Sequence, residues 1–93
     1  MNRAYEANIE FLVDPKDFKL PDIGFYQAPC IVRNVEEDYE MAREEIFGPV
    51  LTILKPFKSL NEVIERVNDS EYGLGAAIFT NDMKDANKFV NEA

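Results

Sequence analysis

An α/β fold is what this sequence predicts, with a small, partly parallel sheet that carries a βαβ unit. Three observations predict it. The run Val50, Leu51, Ile53 and Leu54 is too continuous for a strand with one wet face and suits a strand covered on both sides, as in parallel sheets. A helix with a marked start follows at Ser59. A second apolar run, "GAAIFT", comes after that helix. Strand 50–55, helix 60–68 and strand 76–80 then form one right-handed βαβ unit.

Each element has a local reason. In "NIEFLVD" the apolar residues read as a strand, and "PKDFKLPDIG" is punctuated by prolines and reads as loop. Residues 1–23 are otherwise a poorly assigned N-terminal segment, while residues 24–93 read as one continuous piece. "GFYQAPCIVRNV" is a strand opened by Gly24 and interrupted by Pro29, and "EDYEMAREE" is a short polar helix or turn. Pro56 fits the end of strand 50–55, where no ladder donor is needed. "SLNE" is a capping box, in which Ser59 accepts from the N–H three residues on and Glu62 reaches back. Leu60, Val63, Ile64 and Val67 give that helix one apolar stripe, and Asn68, Asp69 and Gly73 stop it. Thr80, Asn81 or Asp82 can cap a last helix, with Met83, Ala86, Phe89 and Val90 on its apolar side. That helix runs into Ala93 without Gly or Pro, so the chain reads as cut rather than finished.

Composition narrows the functions. With 93 residues and 46% hydrophobic content, one small globular domain is expected. Ten basic against 18 acidic residues, a net charge of −8, argue against nucleic acid, whose phosphates need Lys and Arg. There is no basic amphipathic face, no apolar run of membrane-spanning length and no signal-peptide pattern, so no membrane partner is expected and the cytoplasm is the default compartment. The sequence has no histidine, which removes the usual triads and most zinc sites. Cys30, the sole cysteine, has no such base beside it, and a buried, inert thiol is the favoured reading over a nucleophile.

The remaining motifs divide into solvated charge and candidate site. Asp14, Asp17 and Asp22 read as solvated loop charges. Glu36, Glu37, Asp38 and Glu40 are denser, but the ligand alternation and central glycine of a calcium loop are missing, so no metal site is expected. Tyr72 and Gly73 in "SEYGLG" read as a helix exit in which glycine allows positive φ. In "REEIFGPV", Glu44 and Glu45 are neighbours and would not share a helix face. An ionised carboxylate only accepts hydrogen bonds, so one beside an aromatic wall could hold paired sugar hydroxyls. The alternative is a helix end, a core Phe47 and a Gly48-Pro49 turn, and the residues alone favour it.

The sequence resembles a known family in these stretches. "EEIFGPV" resembles the motif late in the catalytic domain of the NAD(P)-dependent aldehyde dehydrogenases. "GFYQAPCIVRNV" is similar to that family's G-Y/F-F-x-x-P-T-V/I-x-x-x-V strand, with Cys30 where Thr is usual. "PFKSLNEVIERVNDSEYGLGAAIFTND" resembles the stretch that follows, and the resemblance runs in one register over residues 24–93. It implies a fragment of an aldehyde dehydrogenase catalytic domain. By it, Glu45 binds the hydroxyls of the nicotinamide ribose, Phe47 lies against the nicotinamide end, and Gly48-Pro49 fixes the turn that presents both.

The departures from the family limit what the resemblance implies. The family's nucleophile lies in a F-x-N-x-G-Q-x-C context and its general base in E-L-G-G; neither occurs here, and Cys30 does not match. The implied parent oxidises an aldehyde to a carboxylic acid, through a thiohemiacetal and hydride transfer to NAD or NADP. This piece would contribute the ribose clamp, with no catalytic residue of its own and no tight cofactor binding, and would be inactive alone. The competing reading is a non-enzymatic module derived from that domain, which associates with itself or a partner. Either way, open strand edges predict a homo-oligomer.

Overall fold

The computed structural model describes residues 2–93, with side chains from Arg3 onward. Met1, where the N-terminal segment 1–23 begins, lies outside the described residues. The chain divides into two compact units, one running through Pro56 and one from Phe57 on.

The first unit is a three-stranded mixed sheet in the order β1-β2-β3, with helices α1 and α2. Helix α1 (Asn2–Glu6), which the sequence did not announce, leads into β1 (Glu10–Val13) through Asn8, whose φ of 57° is left-handed. Left-handed backbone is a conformation that Asn tolerates better than most residues. Pro15–Asp17 form a single 3₁₀ turn. The predicted strand 24–35 begins only at Cys30, as β2 (Cys30–Val35). Pro29 explains the late start, since it has no N–H to give a ladder. Gly24 has a φ of 98°, and a Cβ there would sit 3.0 Å from the Tyr26 ring.

β1 runs antiparallel to β2, with Glu10 opposite Arg33. β2 runs parallel to β3 (Val50–Leu54), pairing Cys30 with Val50 and Val32 with Thr52. The ladder shifts register between Val32 and Val35, where Asn34 adopts φ 55°. Because parallel strands need a crossover, the chain travels from Val35 back to Val50 through α2 (Glu40–Arg43), which lies beside β3. The core is Ala4, Cys30, Val32, Val35 and Met41, with Phe11, Val50 and Leu54 packed against it.

The parallel pair therefore exists, but not where the sequence placed it. Strand 76–80 does not form, so the unit built from 50–55, 60–68 and 76–80 is absent, and β2-α2-β3 supplies the parallel connection. The reason lies in the second unit, which holds two helices and no strand among the described residues, so "GAAIFT" has no ladder partner within it. β3 also differs from expectation. Its side chains alternate, and Leu51 and Ile53 are 56% and 40% exposed, so only one face is covered.

The second unit is the pair α3 (Leu60–Asn68) and α4 (Met83–Glu92). Ser59 caps α3 by accepting from the Glu62 N–H at 3.2 Å, and the Glu62 carboxylate reaches back to the Lys58 N–H at 2.8 Å. Asp82 caps α4 by accepting from the N–H groups of Lys84 and Asp85. Ile64 and Phe89 are the buried residues of the pair, and the Asn68 amide donates to the Glu92 carbonyl at 2.8 Å. Gly73 does not take the positive φ expected of it; among the described glycines only Gly24 does. No helix among the described residues is long and apolar enough to cross a membrane.

Candidate cofactor-contact site

The segment between α2 and β3 is shaped almost entirely by backbone. α2 stops because Glu44 turns extended (φ −110°, ψ 139°), its N–H still donating to the Glu40 carbonyl at 2.8 Å. Glu44 and Glu45 are therefore not on a helix, and the helix-face argument that separated them does not apply. Two tight turns follow, in which the Gly48 N–H donates to the Ile46 carbonyl at 3.0 Å and the Val50 N–H to the Gly48 carbonyl at 2.8 Å. The Pro49 carbonyl accepts from the Cys30 N–H at 2.9 Å, which ties the turn to the start of β2.

This geometry leaves Phe47 92% exposed, with Glu45 exposed two residues before it. The expectation of a core Phe47 is thus overturned. The turn closes on Val50, the first residue of β3, and Phe47 is not among the side chains of the core. A Cβ on Gly48 would meet nothing within 4 Å, so Pro49 and the three hydrogen bonds, rather than glycine's small size, give the turn its form. Chemically, an exposed carboxylate is an acceptor for paired hydroxyls, and an exposed phenyl ring is an apolar platform.

Cys30 is not part of any exposed site. Its side chain is 2% exposed within the core, and burial pushes the thiol up, with the Asp14 charge adding to the effect. A thiol held protonated is a poor nucleophile. The acidic run also disperses. Glu36 pairs with Lys55, Glu40 pairs with Arg3 at 2.8 Å, and no group of acids suited to a metal ion occurs among the described residues.

Asp14 is not simply a solvated loop charge. It accepts from the Lys16 N–H at 2.9 Å and from the Tyr5 hydroxyl at 2.5 Å. The Tyr5 hydrogen bond first, and the backbone one second, hold its carboxyl below the usual range. Tyr5 is pushed up to about 12, by burial and then by Asp14. The ion pair between Arg33 and Glu10, with the Asn34 amide donating to the second Glu10 oxygen at 3.0 Å, was also missed by sequence reasoning. Cross-strand register alone could have shown it, because Glu10 and Arg33 are 23 residues apart. This pair and the Lys55–Glu36 pair line a cleft of about 380 Å³ at the far ends of β2 and β3, away from Glu45 and Phe47.

Comparison with known proteins agrees over the whole chain. The model of the aldehyde dehydrogenase family matches residues 1–93. Human 4-trimethylaminobutyraldehyde dehydrogenase is 46% identical over 78 residues, which is 84% of this chain and 15% of that protein. The structure of an NAD-dependent aldehyde dehydrogenase from Sinorhizobium meliloti superposes with a TM-score of 0.85 at 31% identity, over 98% of this chain and 18% of that one. That of 3,6-anhydro-L-galactose dehydrogenase, in complex with NADP, gives 0.84 at 38% identity, over 98% of this chain and 19% of that one. The chain spans less than a fifth of the length of these relatives. In sequence along its full length, and in fold, the chain belongs to the aldehyde dehydrogenase family.

Proposed function

We propose that this chain supplies the nicotinamide-ribose contacts of an NAD(P)-dependent aldehyde dehydrogenase that oxidises an aldehyde to a carboxylic acid. In this reading residues 24–93 are a catalytic-domain fragment and residues 1–23 lead into it. The observation that carries it is Phe47. Leaving a phenylalanine in water forgoes about 2 kcal/mol of burial, yet the turn holds it out with three backbone hydrogen bonds, two residues from a carboxylate. A ligand face accounts for that arrangement.

The residues fit the cofactor. Glu45 can only accept, and the two ribose hydroxyls can donate. Phe47 offers a flat apolar wall beside them. NAD(P)+ when bound supplies the hydride acceptor; the part of this chain is to hold the ribose at Glu45 and to shield one side of the ring at Phe47. Positioning of this kind matters because misplacement of the reacting atoms by about 1 Å can cost on the order of a hundredfold in rate. The nucleophile and general-base contexts are not among these 93 residues, so the chain alone is inactive. We also place it in the cytoplasm, on its single buried thiol, and in a homo-oligomer, on the exposed Leu12, Leu51 and Ile53 of the sheet.

The test is Glu45→Gln in an active enzyme that contains these residues. The amide keeps the volume and loses the charge, and charge-assisted hydrogen bonds are roughly twice as strong as neutral ones. The Michaelis constant for the cofactor should rise or hydride transfer should slow, with the melting temperature unchanged and Glu44→Gln near wild type. A large melting shift with normal kinetics would make Glu45 structural and end this reading.

A further inference from the structure

We propose that α1 is a strap that opens on its own, short of global unfolding, and that its opening uncovers Cys30. This rests on the first unit alone and not on the cofactor reading. Helix α1 is described over five residues, Asn2–Glu6. It contributes one side chain, Ala4, to the buried cluster, where Ala4 and Cys30 are each 2% exposed. Among the described residues, what holds it down is the Ile9 N–H donating to the Ala4 carbonyl at 3.2 Å and a short set of side-chain links. The Tyr5 hydroxyl donates to Asp14 at 2.5 Å, and its ring stacks on Phe11 with centroids 4.6 Å apart. The Lys16 ammonium lies 3.8 Å from the centroid of the same ring. Arg3 reaches Glu40 at 2.8 Å, but that pair is exposed, and exposed pairs contribute little.

Among the described residues, opening the strap breaks one part-buried hydrogen bond, one ring stack, one cation–ring contact, one exposed ion pair and the backbone bonds from the Ala7, Asn8 and Ile9 N–H groups to the α1 carbonyls, and it uncovers one alanine. Unfolding the unit must in addition expose Val32 and Val35, which have no exposure at all, and break both strand ladders. Local opening is the smaller step, and proteins open first where the buried contacts are fewest. Tyr5 is the latch, since it makes the part-buried polar link and the stack through one side chain.

Cys30 reports the opening, because it is the only thiol in the chain. Its sulfur displaces iodide from iodoacetamide with loss of the thiol proton, and the adduct is read as one mass shift of the intact 93-residue chain. In wild type the rate should be slow and flat across low urea, since a local opening exposes little new surface. Tyr5→Phe keeps the ring and removes the hydroxyl, and should react about fivefold faster, the value of one ordinary hydrogen bond. Its urea unfolding midpoint, followed by far-UV dichroism, should fall by the matching free energy, because the unfolded chain lacks the bond as well, so a labelling rate that stays flat across low urea is what marks the opening as local. Arg3→Gln should change the rate by less than about twofold. A Tyr5→Phe rate equal to wild type would overturn the latch. A wild-type rate that climbs steeply from the first additions of urea would show that Cys30 is reached only by global unfolding, and that arm decides the matter even if the variant does not fold.

Discussion

The sheet of the first unit and the helix pair of the second are both made of short elements, yet they protect themselves differently. β2 lies between two strands and under α1 and α2, and two of its side chains, Val32 and Val35, are sealed completely. α3 and α4 meet along one line and bury one side chain each, while Met83 and Val90 stay in water. The sheet is held by packing. The helix pair leans on its ends, through the Ser59 and Asp82 caps, the Glu62–Arg66 pair at 2.7 Å and the Lys88–Asn61 hydrogen bond. Within 56 residues a central strand gains a neighbour on each edge and a covered row of side chains, whereas two helices cover each other along one line only.

The largest expected effect comes from removing the one ring the helix pair buries. Phe89→Ala should cost about 3 kcal/mol and abolish amide-exchange protection in both α3 and α4. Helices that keep their protection would mean that caps alone suffice. Val32→Ala should cost about 2 kcal/mol, read in the exchange of β2 and β3 amides, which in wild type should outlast those of α4. Equal protection of β2 and α4 in wild type would break the comparison.

Asp82→Ala removes the acceptor for two N–H groups and should cost about 1 kcal/mol, confined to the first turn of α4. The same change at an uncapped surface position should do almost nothing.

The smallest effect is acid. Glu10 is held below the usual carboxylate range by Arg33 and then Asn34, Asp14 by Tyr5, and Glu62 by the Lys58 N–H. A carboxylate depressed in the fold adds stability that is present above its unfolded pKa and is lost as pH falls through the folded one. Both units should therefore be indifferent to pH from neutrality down to the ordinary carboxylate range and weaken only below it. Glu10 is exposed and Asp14 and Glu62 are half-buried, so none of the three is sealed from solvent and the loss should be slight. Carboxylate titrations by NMR should give low midpoints for these three; an ordinary midpoint at Glu10 would remove its cross-strand pair from the balance.

What the sequence disclosed follows from where information is local. The bounds of α3 came out at residues 60–68, because a capping box and a stop are written within the helix itself. For α4 the sequence offered three caps and the fold uses Asp82, with the Thr80 hydroxyl accepting from the Asp82 N–H at 3.1 Å. Strand 76–80 failed because a run of apolar residues does not say whether a partner edge is present. The open face of β3 failed for a related reason, since "VLTIL" reads the same whether one or both of its faces are covered. At the candidate site the positions of Glu45 and Phe47 were legible as a motif, but the exposure of the ring was not. That depends on the Cys30 N–H reaching the Pro49 carbonyl, a contact between residues 19 apart that no local pattern encodes.

The crossover from Val35 to Val50 sets a mechanical limit on this molecule. It must return the chain to the start of a parallel strand, and connections of this kind need about a dozen residues or more. Only fourteen are available, numbers 36–49, and both ends are fastened, at Lys55 N–H to the Val35 carbonyl and at Cys30 N–H to the Pro49 carbonyl. There is little slack in this tether. Losing even one residue would drag Phe47 toward the sheet or shear the β2–β3 register, whereas added residues near Glu36–Asp38 could bulge outward without pulling on either strand. Variation in this stretch should therefore run in one direction, toward lengthening.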